Sequence, residues 1–157
     1  MPAATGFERR LLCPDPEATS ALGRALAAAA VPGDLVCLWG DLGAGKTHLA
    51  KAFGAGLGVT GTIVSPSFIL MAEYEGRIPL FHLDLYRLAD ASEAFAGGLV
   101  DERQAAGVTL IEWPDRLGAA LPAARLDVRI DGTGDEPRVI VLHAADATYR
   151  RYPEAVP

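Results

Sequence analysis

Gly40-Asp-Leu-Gly-Ala-Gly-Lys-Thr47 is a complete GxxxxGKT element, and the fold follows from what stands on either side of it. A loop that wraps a cluster of phosphate oxygens needs inward-pointing backbone N–H groups. That demands glycines with free φ and no side chain in the way, and Gly40, Gly43 and Gly45 supply them. Lys46 carries a compact positive charge to β- and γ-phosphates, and the Thr47 hydroxyl is suited to Mg²⁺. Asp34-Leu-Val-Cys-Leu-Trp39 is an apolar run of strand length before the loop. The segment Thr47 to Leu57 is helix-compatible after it, with Leu49, Ala50, Phe53 and Leu57 on one face. The helix starts at the phosphate site, so its N-terminal partial charge faces the anion. Asp41, Leu42, Gly43, Ala44, Gly45, Lys46 and Thr47 are therefore expected to bind a nucleotide, with ATP and Mg²⁺ as cofactors.

Outward from the loop, Phe7 to Leu12 reads as an opening strand. Asp15-Pro16-Glu17 supplies an N-cap, a proline at the first helical position and an early acid, starting a helix that runs to about Ala30, where Pro32-Gly33 stops it. Phe68 to Tyr74 and Ile78 to Leu83 read as a hairpin around Glu75-Gly76-Arg77, ending at Asp84. Ala89 to Ala106 reads as helix, interrupted near Gly97-Gly98. Val108-Thr-Leu-Ile111 is a buried-type strand closed by Glu112-Trp113-Pro114. Arg125 to Ile130 and Arg138 to Leu142 alternate around a turn at Asp131-Gly-Thr-Gly134. The residues after His143 carry no pattern.

The expected fold is α/β: a central, mostly parallel sheet flanked by helices, with antiparallel strands at the edges. With 157 residues, a single domain over 1–157 is expected, its core at about 7–143 and a short C-terminal tail.

Half the residues are hydrophobic and 22% are charged, which excludes a disordered chain. A net charge of −6 argues against broad contact with a nucleic-acid backbone, so any RNA connection runs through a partner. Two cysteines, Cys13 and Cys37, form no metal-ligand spacing and no disulfide framework. No signal-peptide core or run of membrane-spanning length is present, and the expected location is the cytoplasm without membrane contact.

A phosphate loop requires a carboxylate on the Mg²⁺ side, at the end of a buried strand beside the loop strand. Glu112 follows the more apolar run and is favoured. Asp84 follows Leu80-Phe-His-Leu83 and is expected to position Mg²⁺ or the attacking water. Lys46, Asp84 and Glu112 form the expected catalytic set, and Thr47 and Glu112 the metal pair. Ser65-Pro66-Ser67 is read as a γ-phosphate sensor. Arg87 braces Asp84, touches phosphate or lies on the surface. Trp113 is read as an anchor for the turn at Pro114, with packing near the nucleotide as the alternative, and Trp39 as core. His48, His82 and His143 receive no chemistry.

A guanine-reading Asn/Thr-Lys-x-Asp segment cannot exist, because the only two lysines are Lys46 and Lys51. ATP is favoured over GTP. Dispersed arginines and a hairpin in place of acceptor-binding helices weaken the reading as a small-molecule phosphotransferase, which stands as the alternative beside a nucleotide-gated module that does not hydrolyse ATP.

Gly40-Asp-Leu-Gly-Ala-Gly-Lys-Thr47, Ser65-Pro-Ser-Phe68, His82-Leu-Asp-Leu-Tyr-Arg87 and Ile111-Glu-Trp-Pro114, in this order and at these spacings, resemble the TsaE family, also called YjeE. The likeness spans roughly Asp15 to Leu142. It implies a P-loop NTPase-like fold and an ATPase subunit of the bacterial machinery that makes N6-threonylcarbamoyladenosine in tRNA. It implies that TsaB and TsaD are partners, that tRNA is reached only through the complex, and that ATP hydrolysis supports repeated turnover rather than the transfer chemistry. Lys46 and Thr47 would bind phosphates and Mg²⁺, Glu112 would be the second Mg²⁺-side ligand, Asp84 a residue needed for hydrolysis, and Ser65 to Phe68 the nucleotide-responsive switch. Ser67 and His48 stand where the family more often has threonine. Thr19 and Arg138 match positions often retained in it and are left outside the assigned site.

Overall fold

The structure is a computed structural model that describes residues 7–61, 63, 71–88 and 102–157. Its frame is one sheet of seven strands: β1 (Phe7–Cys13), β2 (Leu35–Trp39), β3 (Met71–Tyr74), β4 (Leu80–Asp84), β5 (Val108–Glu112), β6 (Leu126–Asp131) and β7 (Arg138–Ala144), in the spatial order β1-β7-β6-β2-β5-β4-β3. β2 runs parallel to both β5 and β6, and β4 parallel to β5. The pairs β1–β7, β6–β7 and β3–β4 are antiparallel. The parallel centre with antiparallel edges is the expected arrangement. Its chemical signature is β5, buried at every position, because a strand covered on both faces has no polar side to show.

Helix α1 (Pro16–Ala29) begins where the sequence predicts: the Asp15 carboxylate accepts from Ala18 N at 2.9 Å, and Pro16 occupies the first turn, where no N–H is needed. Helix α2 (Lys46–Gly56) rises from the glycine loop and buries Leu49, Ala50 and Phe53. The two helices pack closely because glycine stands at the contacts. A Cβ on Gly23 would lie 2.8 Å from Ala52 Cβ, and one on Gly56 would lie 2.7 Å from Ala27 Cβ. The main core lies between these helices and the sheet, from Leu22 and Leu26 through Leu49 and Phe53 to Val36, Leu38, Leu110 and Val128.

The β3–β4 hairpin forms as expected within the described residues. Its loop is tied to the end of α2 through Arg77 N, which donates to Leu57 O at 2.7 Å. Of the helix expected from Ala89 to Ala106, residues 89–101 lie outside the described residues, and Glu102–Ala106 form a 3-10 turn. The sensor segment Ser65 to Phe68 also lies outside them.

The residues after His143 are not a loose tail. A 3-10 turn, Ala147–Tyr149, leads into α3 (Arg151–Ala155), and Tyr149 and Tyr152 are buried. The Tyr152 hydroxyl donates to Asp34 Oδ2 at 2.5 Å, and Leu35 N donates to the Tyr149 hydroxyl at 3.0 Å, so the C-terminus holds the start of β2. Cys13 and Cys37 are free and buried. Among the described residues no helix is long and apolar enough to cross a membrane.

Candidate functional site

Three elements meet at the C-terminal ends of the central strands. The strand β2 delivers the loop, α2 leaves from it, and β5 ends beside β2 with Leu38 opposite Glu112. Gly43 and Gly45 take φ of +80° and +105°, a region side chains disfavour, which is why the loop needs glycine there. Gly40 is required for space: a Cβ would meet Ile130 O at 2.8 Å.

Lys46 folds back over its own loop. Its Nζ donates to Asp41 O at 2.9 Å and also to Gly40 O, and it lies 4.1 Å from the centroid of the Trp113 ring. Burial lowers the lysine pKa, and the charges of Glu112, Asp41, Asp84 and Asp115 oppose that shift in turn. One residue along, the Thr47 hydroxyl donates to Glu112 Oε1 at 3.1 Å. Two residues 65 positions apart, assigned to one metal site on sequence grounds, are thus in direct contact.

Asp84 ends β4 in register with Glu112, and Leu85 N donates to Glu112 O at 3.1 Å across the strand ends. Asp84 Oδ1 accepts from Tyr86 N at 3.1 Å. Leu42, Gly43, Gly45, Lys46, Thr47, His48, Asp84, Tyr86, Glu112 and Trp113 surround a cavity of about 340 Å³. Leu42 stands 64% exposed at its mouth. Two oxygens of different elements facing one cavity are a donor set suited to a hard divalent cation.

Three residues differ from their sequence reading. Trp113 does more than anchor a turn. It is the one non-glycine residue with positive φ (60°) among those described, and its ring meets Tyr86 at 4.9 Å as well as Lys46. Trp39 is not core. Half-buried, its indole N–H donates to Asp127 Oδ1 at 2.7 Å, the Arg129 guanidinium stacks at 4.9 Å, and it lines a separate hollow of about 300 Å³ with Trp113 and Asp115. Arg138, left outside the assigned site, grips the loop from β7: its Nε donates to Ala44 O at 2.8 Å and its Nη2 to Gly43 O at 3.3 Å. Together with Thr19 and His48 it borders a further cavity of about 330 Å³ on the other flank of the loop. His48 is held there by Ser20 Oγ at 2.9 Å and Pro16 O at 3.0 Å. The clue available in the sequence for Arg138 was its match to a position often retained in the family.

The family model described as Threonylcarbamoyl adenosine biosynthesis protein TsaE matches residues 13–140. The chain belongs to the TsaE family. Among its relatives is the tRNA threonylcarbamoyladenosine biosynthesis protein TsaE of Bacillus subtilis (strain 168), 43% identical over 136 residues, covering 86% of this chain and 85% of the relative. The protein of the same name from Synechocystis is 47% identical over 111 residues, covering 66% of this chain and 69% of the relative. Among solved structures, the crystal structure of Bacillus subtilis YdiB superposes with a TM-score of 0.76 at 35% identity, covering 98% of this chain and 95% of that one. The TsaE resemblance and the α/β fold read from the sequence therefore both hold.

Proposed function

We propose that this chain is a Mg²⁺-dependent ATP-binding and hydrolysing subunit that supports threonylcarbamoyladenosine modification of tRNA. The observation that carries the reading is the Thr47–Glu112 contact at 3.1 Å, set beside Lys46 on a shared cavity. The loop N–H groups and Lys46 bind the phosphates, and α2 presents its positive end to them. Thr47 and Glu112 would hold Mg²⁺, which would offset charge on the β- and γ-phosphates. Lys46 neutralises the γ-phosphate. Glu112 already has both oxygens engaged within the fold, by Thr47 and by His82. Asp84, half-buried on the cavity wall and in register with Glu112, is the residue we assign to order the attacking water.

From family membership we infer that the chain works in the cytoplasm with TsaB and TsaD, that it reaches tRNA only through them, and that they complete a site that turns over slowly alone. The test is ADP formation from Mg-ATP by the purified chain, with and without TsaB and TsaD. Slow turnover alone and faster turnover with both partners is expected. No ADP under either condition, together with no heat on titrating Mg-ATP into the chain, overturns the proposal. Stoichiometric labelling of a small-molecule acceptor would instead assign a phosphotransferase.

A further inference from the structure

The second oxygen of Glu112 is held from inside the protein. His82 Nε2 lies 2.6 Å from Glu112 Oε2, with the imidazole fully buried and the carboxylate almost so. The contact is diagonal across the β4–β5 pair, where His82 stands opposite Leu110 and Asp84 opposite Glu112. The carboxylate is thereby bridged between a strand and a helix: His82 on β4 holds Oε2, and the Thr47 hydroxyl at the start of α2 donates to Oε1 at 3.1 Å, with Oε2 farther off at 3.4 Å.

The other ring nitrogen, His82 Nδ1, is buried and makes no hydrogen bond among the described residues. A carboxylate only accepts, so the proton of the close contact sits on Nε2. A buried ring nitrogen without a partner is a cost to the fold. A leucine or methionine at this position would fill the space without that cost. The imidazole is explained by what its Nε2–H does, since nothing among the described residues uses the rest of its polar capacity.

We propose that His82 is a positioning residue for the metal site: its Nε2–H fixes Glu112 Oε2, so that Oε1 stays turned to Thr47 and the cavity. This rests on the reading of Thr47 and Glu112 as the Mg²⁺ pair. A preset carboxylate loses no rotamer freedom when the cation arrives, and outer partners of this kind typically change metal affinity or activity by about 10–100-fold when removed.

The test uses the full chain and two variants. His82→Gln keeps an N–H donor near the Nε2 position, and His82→Met removes it at similar volume. In the metal-free wild type, ¹⁵N-resolved NMR of the ring, assigned by the signals lost in His82→Gln, is expected to find Nε2 protonated. An unprotonated Nε2 overturns the proposal, and this measurement needs no variant beyond His82→Gln to fold. Calorimetric titrations of ATP at a series of Mg²⁺ concentrations supply the second readout. His82→Met is expected to raise the half-saturating Mg²⁺ about 10–100-fold, leave metal-free ATP affinity unchanged, and be largely rescued by the glutamine. A wild type that needs Mg²⁺ beside an indifferent His82→Met overturns the role of His82 alone. A wild type whose nucleotide binding ignores Mg²⁺ overturns the magnesium site, and this role with it.

Discussion

The Lys46 ammonium lies against the face of the Trp113 ring, 4.1 Å from its centroid, while two carbonyl oxygens of its own loop, Gly40 and Asp41, accept its protons. A lysine in that position is engaged before any phosphate arrives. A cation over an indole is worth about 0.5–2 kcal/mol, an amount that charge-assisted bonds to a triphosphate outweigh. In a Trp39→Phe background Trp113 is the sole indole of the chain, and its emission is expected to change when Mg-ATP draws the ammonium away. Lys46→Met should abolish that change. A change that survives the methionine would mean Trp113 senses nucleotide without Lys46.

Removing the Lys46 charge tests the site more directly. Hydrogen bonds to a charged group are worth about 1.5–3 kcal/mol, so Lys46→Ala is expected to weaken ATP binding roughly 10- to 150-fold. ADP formation should fall to background. Unchanged affinity by calorimetry would remove the loop from the mechanism.

Alkaline pH should destabilise the fold, and Cys37 should account for part of it. Its thiol is buried between β5 and β6 and is pushed well above its usual 9.0, by desolvation first and the charge of Asp127 second. Unfolded, the group ionises near 9.0; folded, it keeps its proton. Above 9.0 the unfolded chain therefore binds fewer protons than the folded one. Its contribution is fully present below 9.0 and is lost as pH rises, by up to about 1.4 kcal/mol per pH unit. Cys13 and Tyr152, also raised chiefly by burial, carry the same sign, and Lys46, lowered by burial, the opposite one. Urea midpoints are expected to fall between about pH 8 and about pH 10, and to fall less steeply in Cys37→Ala. Equal slopes would show that Cys37 is not involved.

The sequence made the centre of the site legible because its chemistry is local. Gly40 to Thr47 is one contiguous loop, and Glu112 closes an apolar run that reads as the neighbouring strand without further knowledge. His82 and Tyr152 were not legible, and Arg138 only as a match to the family, because each acts on a residue far along the chain: 30 positions to Glu112, 94 to Ala44 and 118 to Asp34. Only strand order brings those partners together, and order does not follow from hydrophobic period. His82 sits in an apolar run, where its polar task leaves no local trace. Trp39 misled for the converse reason: it continues an apolar strand, but it is the last residue of that strand and turns toward Asp127.

Gly23 offers a test of helix packing in which the usual sign reverses. Glycine to alanine inside a helix normally gains about 1 kcal/mol. Here the added methyl would lie 2.8 Å from Ala52 Cβ and 3.1 Å from Leu49 O and Phe53 N, so α1 and α2 must separate. Overpacking of this kind costs about 1–3 kcal/mol, which leaves a net loss of about 1 kcal/mol and a Tm roughly 2–4 °C lower for a chain of this size. Ala52→Gly in the same chain should couple favourably with it in a double-mutant cycle. A more stable Gly23→Ala would show that the helices can give way at no cost.

The C-terminal segment should be worth more to stability than its length suggests, and Tyr152 is the place to measure it. Its hydroxyl is buried and donates to Asp34 Oδ2 at 2.5 Å, an oxygen that also accepts from Val31 N at 3.1 Å and from the Arg151 guanidinium. Asp34 leads into β2, so the node fixes the strand that carries the phosphate loop at its far end. Tyr152→Phe keeps the ring and its packing and removes one bond to a charged acceptor, at about 1.5–3 kcal/mol. The expected result is a Tm lower by roughly 3–12 °C, with ATP affinity unchanged because the loop lies at the opposite end of β2. Asp34→Ala should cost more, since it strands the Arg151 charge and the Tyr152 hydroxyl together. A Tyr152→Phe variant as stable as the wild type would mean that the aromatic packing, including the Tyr149 ring stacked at 6.0 Å, holds the segment without the hydrogen bond.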